Sequence, residues 1–212
     1  MLNHPMNKDP FIYIEDNVLD NAFCKHVINK FENDSRPAWG TTFGGVELQI
    51  KKSKDLHITN ESDWKEEDNV IGEVVGAKIN EYNAHLNKSI PLTSRTTNEL
   101  LPISFVQFHH GEQCTDSGYQ IQKTEPGDGY VWHNDFAVQQ PFGIRVLTFI
   151  FYLNTVDEGW TQFYNGFQVE PKEGRLLIFP STFTYIHQGY PPKQDKYIVT
   201  GWIHESMEKI PN

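Results

Sequence analysis

The sequence predicts an α+β fold, with helices gathered in the first half of the chain and bracing one face of a largely antiparallel sandwich or barrel built by the second half. Two observations carry this. Apolar residues recur at helical spacing only before residue 100, and beyond it aromatic and β-branched runs are cut by Gly, Pro, Asp and Asn. Helices come first and strands follow, which argues against alternating βαβ units. At 212 residues the chain suits one domain with a sizeable core, a mainly helical bracing region over 1–99 and a β core over 100–206.

The elements follow in order. In "DNAFCKHVINKFEND" Phe23, Val27 and Phe31 lie four apart with Cys24 and Ile28 alongside, and Asp20 is placed to cap the helix. "GTTFGGVELQI" contains glycine turns and a short strand pattern. A second helix begins near Asp63, where Asp63 and Glu66 have capping-box spacing, and it carries Ile71, Val75, Ile79, Tyr82 and Leu86 on one stripe. Strands are then expected in "ISFVQFHH", "GYQIQKT", "GYVWHND", "IRVLTFIFYLN", "RLLIFP" and "KYIVTGWIHE".

A formal charge of −10 repels phosphate backbones, so nucleic acid is not an expected partner. The one dense lysine cluster, "KKSK" at 51–54, reads as a solvated loop. No apolar run reaches the length of a membrane span, and the N-terminus lacks a basic flank followed by an apolar block. The expectation is a soluble protein with no membrane partner. Cys24 and Cys114 have no metal-site spacing and read as free thiols of a reducing cytoplasm.

The chemistry gathers around "GYVWHNDFAV". On a strand, residues i and i+2 project to one side, so His133 and Asp135 face together; taken alone, such a pair is far more often a solvated strand end or turn than a chelate. His187 supplies a third donor, in alternation with Phe183 and Tyr185 after the Pro180-Ser181 turn. Two imidazoles and a carboxylate cover one face of an octahedral ion and leave the other open, the arrangement of non-haem Fe(II) oxygenases. An iron that takes a 2-oxo acid also needs a cation for the far carboxylate of 2-oxoglutarate. Lys196 opens "KYIVTGWIH" and shares a face with Ile198, Thr200 and Trp202, so an ammonium and a hydroxyl can converge on one acid group. Tyr152 shares its face with Thr148 and offers a phenol to the same carboxylate.

From Gln120 to His204 the sequence resembles the iron(II)- and 2-oxoglutarate-dependent dioxygenases, most closely their prolyl 4-hydroxylase-like branch. The resemblance lies in the order and spacing of "EPGDGYVWHND", "VLTFIFYLN", "EGWTQF", "PKEGRLLIFP", "HQGYPPKQDKY" and "TGW". It implies a double-stranded β-helix (jelly-roll) core. It further implies His133, Asp135 and His187 as iron ligands, and Lys196 as the salt bridge to 2-oxoglutarate with help from Tyr152 and Thr200. Tyr130 would line the iron and substrate pocket. The implied activity is hydroxylation of an unactivated C–H bond by O2, with release of succinate and carbon dioxide and with ascorbate as a possible reductant. The favoured substrate is a prolyl residue of a peptide or protein, the alternative a free amino acid or another small molecule. A bacterial cytoplasm, or a host cytoplasm if phage-encoded, is the implied location.

Two departures stand near the substrate mouth: the family's usual Gly-Gly-Glu-Thr turn is Gly159-Trp160-Thr161, and "QKT" replaces the tyrosine commonly ahead of the Pro-Gly turn. The intact Asp135 argues against a halogenase. Two other classes stay open, a zinc hydrolase using the same triad and a non-catalytic jelly-roll binding module. His109 and His110 are adjacent and would face opposite sides of a strand, so they read as surface or hydrogen-bonding residues. Arg145 is placed on the face opposite Tyr152, where it could contact substrate but reads more simply as a surface salt bridge, and Trp202 reads as core packing.

Overall fold

Helix α1 (Asn21–Glu32) is capped as its sequence predicts, the Asp20 carboxylate accepting from the Phe23 N–H at 2.8 Å. Its apolar stripe buries Cys24, Val27 and Phe31. The second helix starts differently. A 3₁₀ turn at Ser62–Trp64 precedes α2 (Lys65–Ser89), whose first residue has no side-chain cap. Asp63 is drawn away to Arg36 at 2.6 Å, so the capping box does not form; Glu66, Glu67 and Asp68 in the first turn meet the helix dipole instead. The expected stripe is intact: Ile71, Val75, Ile79, Tyr82 and Leu86 are all buried.

The computed structural model describes residues 9–101 and 114–205. The expected strand "ISFVQFHH" and the His109-His110 pair lie outside them. The strands are β1 (Tyr13–Glu15), β2 (Ala38–Trp39), β3 (Lys54–His57), β4 (Cys114–Asp116), β5 (Gln120–Thr124), β6 (Tyr130–His133) and β7 (Val138–Gln139). They continue with β8 (Gly143–Tyr152), β9 (Thr161–Phe163), β10 (Gln168–Val169), β11 (Leu176–Pro180), β12 (His187–Gly189) and β13 (Lys196–Glu205). The larger sheet runs β1-β11-β8-β13-β5-β3-β2, with β4 on β13 and β7 on β8; the smaller runs β10-β9-β12-β6. Every strand pairing among the described residues is antiparallel. The N-terminal region therefore gives strands to the larger sheet as well as bracing helices.

Period-two alternation sorts the central strands. Phe149, Phe151, Val199, Ile203 and Ile121 join the cluster formed with Cys24, Val27, Phe31, Ile71 and Ile79 of the helices. Ile150 and Tyr152 point the other way, toward Phe163 and Val169 of the smaller sheet. Each fully buried aliphatic or Phe side chain contributes about 1.5–3 kcal/mol, so the two clusters together fix one sheet between helices and a second sheet. Gly201 permits a close approach on β13, where a Cβ would stand 2.5 Å from Phe149 Cζ and 2.7 Å from the Gly118 carbonyl.

Three sequence expectations are corrected here. First, the lysine cluster is not a solvated loop: Lys51 is buried and pairs with the buried Asp55 at 2.5 Å, and Lys54 opens β3. Second, "GTTFGGVELQI" forms no strand, only an isolated bridge between Thr42 and Gly45. Third, Arg145 is not opposite the Tyr152 face. Leu147 pairs with Ile203 but Arg145 with His204, so Val146 is the extra residue of a bulge, and the reversed alternation turns Arg145 inward.

His204 on β13 is buried, and neither ring nitrogen has a hydrogen-bond partner among the described residues. Burial, then the nearby Arg145 charge, pushes its pKa down to about 4. The unfolded chain protonates this ring near pH 6.5 and the folded one only near pH 4, so stability is full above pH 6.5 and is lost as pH falls through that window. The loss from this residue should approach about 3 kcal/mol at pH 4. Denaturant midpoints at pH 7.5 and pH 4.5 check it: His204→Phe should lose less between the two than the parent chain.

Candidate active site

His133 ends β6 and faces His187, the first residue of β12, across a direct pairing of the smaller sheet. Asp135 lies just beyond β6, where Asn134 Oδ1 accepts from the Phe136 N–H and turns the chain. The pair thus converges through a strand end and a turn rather than along one strand. The expected alternation before His187 is also absent: the Tyr185 N–H closes a turn on the Thr182 carbonyl, and Phe183 within it is exposed. Even so, one donor atom from each of His133, Asp135 and His187 lies within 4.8 Å of the others.

Which imidazole nitrogen faces the carboxylate follows from the backbone. His133 Nδ1 lies 2.7 Å from the Val131 carbonyl and His187 Nδ1 lies 3.0 Å from the Tyr185 carbonyl. A carbonyl only accepts, so both Nδ1 atoms carry hydrogen and donate. The two Nε2 lone pairs are then aimed at Asp135, each 3.7 Å from a carboxylate oxygen and beyond hydrogen-bond reach. Lone pairs facing a carboxylate repel unless a cation stands between them. Thr148 Oγ1 donates to Asp135 Oδ2 at 2.7 Å and is itself bonded to Ser181 Oγ, which fixes the carboxylate plane. Burial opposes the charged form of Asp135, yet the pull of His187 and then His133 when either ring takes a second proton, with the Thr148 hydrogen bond, holds the carboxyl below its usual range. Burial, then His187, pushes His133 down to about 4, leaving its ring neutral and free to ligate. This donor set fits a divalent transition metal.

The triad lines a cavity of about 730 Å³ whose floor is the concave face of the larger sheet. Strand registers set its rows. Ile150, Thr200, Gln120 and His57 form one; Tyr152, Ile198 and Gln122 form the next, with Lys196 and Thr124 beyond. Lys196 is 5% exposed, and its ammonium donates only to the Gly159 carbonyl, at 2.7 Å. No carboxylate pairs with it among the described residues. Burial pushes its pKa down to about 8. Gly159 turns at φ +66°, and a Cβ there would meet Pro192 at 2.8 Å and the Lys196 stem at 3.3 Å, so glycine lets the carbonyl reach the ammonium. Tyr152 is fully buried, its hydroxyl 2.6 Å from Thr161 Oγ1. Thr200 lines the cavity, but its hydroxyl hydrogen goes to the Phe149 carbonyl at 2.8 Å.

Residues 119–204 match the family model of the 2OG-Fe(II) oxygenase superfamily. This segment is a 2OG-Fe(II) oxygenase domain. The matched domain is that of a 2-oxoglutarate/Fe(II)-dependent dioxygenase, and its jelly-roll core is the fold of that class. No curated protein matches it in sequence. Among solved structures, a Trichoplax adhaerens prolyl hydroxylase in complex with a hypoxia-inducible-factor oxygen degradation domain peptide fragment superposes with TM-score 0.66 at 17% identity, over 93% of this chain and 84% of that one. A Pseudomonas putida prolyl-4-hydroxylase gives 0.61 at 14% identity, over 92% of each chain. The viral collagen prolyl hydroxylase of Paramecium Bursaria Chlorella virus-1, in its 2OG complex, gives 0.57 at 16%, over 96% and 100%.

Other side chains complete the oxygenase cavity. Tyr130 stacks on the His133 ring, centroids 3.5 Å apart and planes at 12°, so it braces that imidazole. Trp202 is not simple core packing: it lines the cavity, and the Arg145 guanidinium lies 3.6 Å over its ring. Arg145 donates to Gln139 and forms no ion pair among the described residues, contrary to the surface salt bridge expected. Thr148, Ser181 and Thr161 were not singled out as hydrogen-bonding partners by sequence. Thr148 carried a signal, its alternation with Tyr152; Thr161 and Ser181 reach the site only through tertiary pairing.

Proposed function

We propose that the oxygenase holds Fe(II) through His133 Nε2, Asp135 and His187 Nε2, and 2-oxoglutarate through Lys196, and that it hydroxylates a prolyl residue of a peptide or protein. When bound, the iron with 2-oxoglutarate and dioxygen supplies the oxidising chemistry that installs a hydroxyl on an unactivated C–H bond and yields succinate and carbon dioxide. The protein's part is positional. Val131 and Tyr185 fix both ligating tautomers, Thr148 orients the carboxylate, and Tyr130 holds the His133 ring. Lys196 offers a buried charge to the remote carboxylate, and Tyr152 can turn its hydroxyl to the same group while Thr161 donates back to it. Thr200 can serve that carboxylate as a donor only by releasing Phe149, so its part is to shape the wall. Ascorbate would act only as an external reductant.

The single observation behind this reading is a buried ammonium without a carboxylate partner in the same cavity as three converging ligand donors. A zinc hydrolase or a bare binding module would leave Lys196 without a purpose. The prolyl substrate rests on the fold shared with enzymes named as prolyl hydroxylases, one of them holding a peptide. Anaerobic addition of Fe(II) and then 2-oxoglutarate should raise the visible charge-transfer band of the chelate. A zinc site or an inert module gives no band, and that outcome ends the proposal.

A further inference from the structure

One lip of the cavity belongs to the glycine-rich segment "GTTFGGVELQI" between β2 and β3, of which Thr41, Thr42, Phe43, Gly44 and Glu47 line the space. Thr42 and Gly45 close a tight turn on each other. The Thr42 N–H donates to the Gly45 carbonyl at 2.8 Å, the Gly45 N–H to the Thr42 carbonyl at 3.1 Å, and Gly45 takes φ +94° to do so. The Thr42 hydroxyl accepts from the Gly44 N–H at 3.0 Å and donates to the Glu47 carboxylate. Both carboxylate oxygens lie over bare Gly44, where a Cβ would stand 2.6 Å and 2.9 Å from them. The Glu47 carbonyl accepts from the Ile50 and Lys51 N–H groups, and residues 50–52 are stitched to β6: the Val131 N–H donates to the Ile50 carbonyl at 2.9 Å and the Lys52 N–H to the Gly129 carbonyl at 2.9 Å. Glu47 is thereby fixed relative to His133, which ends β6.

The other charges that line the cavity are answered. Asp135 faces the two imidazoles, Lys51 pairs with Asp55, Arg145 lies on Trp202 within the field of Asp135, and Lys196 is the anchor proposed for 2-oxoglutarate. Half-buried Glu47 has no cationic partner among the described residues. Apart from Asp135 it is the only carboxylate among the described residues that line the cavity. Burial, then Asp135 and more weakly Asp55 and Glu47, pushes the Tyr130 phenol up to about 12 against the pull of Arg145, so the Glu47 charge is felt at the ring that stacks on His133. Phe43, 87% exposed in the same turn, offers the methylene stem of a lysine or arginine a face to lie on. An acid at this lip repels anions, and the chain's charge of −10 steers cations toward it.

We propose that Glu47 is a specificity-determining residue of this oxygenase: its carboxylate receives a cationic group of the substrate, either a lysine or arginine side chain flanking the hydroxylated residue or a free N-terminus. The proposal rests on the oxygenase reading above and assigns the charge of its substrate. A charge-assisted hydrogen bond to this carboxylate should favour the cationic substrate about tenfold.

The probes are three capped, proline-centred pentapeptides whose flanking residues are lysine, alanine or glutamate, and the alanine peptide with its N-terminus left free. Calorimetry on the anaerobic Fe(II)- and 2-oxoglutarate-loaded protein reads their affinities, and mass spectrometry after admission of air reads the gain of one oxygen. The capped lysine peptide or the free-amine peptide should bind about tenfold more tightly than the capped alanine peptide, and the one that does so names the source of the cation. The glutamate peptide should bind least, and the spread should shrink at high salt. Glu47→Gln, which keeps the size, should bring the preferred peptide down to the capped alanine peptide. Glu47→Lys should invert the order in favour of glutamate, a gain that a folding defect does not produce. 2-Oxoglutarate affinity should stay within about twofold in both variants. Equal affinity for all four peptides, a preference that survives Glu47→Gln, an order that Glu47→Lys does not invert, or no peptide binding although the chelate band forms each overturns the assignment. Absence of the chelate band in the unmodified enzyme overturns the oxygenase reading instead, so the two failures are told apart.

Discussion

Replacing His187 by alanine is expected to lower Fe(II) affinity by more than about 100-fold and to remove turnover with it. Loss of an outer partner of a metal ligand typically costs about 10–100-fold in affinity, and His187 is proposed as a ligand itself. Its ring is 4% exposed and packs edge-on to Phe179 at 4.7 Å, so no mobile side chain stands ready to replace the lost nitrogen. Thr148→Val is the graded companion. It keeps volume and removes the hydroxyl that orients Asp135, so its loss should stay within the outer-partner range. Anaerobic metal titration by calorimetry, with circular dichroism to check folding, gives both numbers. Equal affinity in His187→Ala and the parent chain would dismiss His187 as a ligand.

The periodic features were legible because local pattern alone decides them. The α2 stripe from Ile71 to Leu86, and the faces of β8 and β13 along most of their lengths, follow from periods of 3.6 and 2. Where the sequence misled, a distant partner made the decision. Lys51 reads as a surface lysine until Asp55 and the Tyr130 ring, 5.7 Å from its ammonium, close around it. Arg145 reads as outward until one bulged residue, set by the register with β13, reverses the alternation. Asp63 has capping spacing, but Arg36 draws its carboxylate away. The short strands β1 and β3 carry too few residues to show a period, and exist because β11 and β5 offer them edges. The triad was legible in spacing, whereas its tautomers were not, since Val131 and Tyr185 carbonyls set them.

Lys196→Met should raise the stability of the apoprotein while lowering its affinity for 2-oxoglutarate, and the opposite signs are the informative part. The folded pKa of about 8 lies well below the unfolded value near 10.4, so the unfolded chain holds its proton more tightly. The resulting penalty is in force below pH 8 and is relieved as pH rises toward 10.4; at neutral pH it amounts to about 3 kcal/mol. Methionine fills similar space without the charge, so the melting temperature of the variant should rise at pH 7 and the gain should shrink toward pH 10. Affinity moves the other way. A charge-assisted hydrogen bond to a carboxylate contributes about 1.5–3 kcal/mol, and its loss should weaken 2-oxoglutarate binding about 100-fold with Fe(II) binding unchanged. Titration state ties the two effects together: in the parent chain 2-oxoglutarate binding should hold steady up to pH 8 and then weaken about tenfold per pH unit as the free ammonium loses its proton. Lys196→Arg, charged throughout, should flatten that decline. An unvarying 2-oxoglutarate affinity between pH 7 and pH 9.5 in the parent chain would remove Lys196 from the cosubstrate's carboxylate.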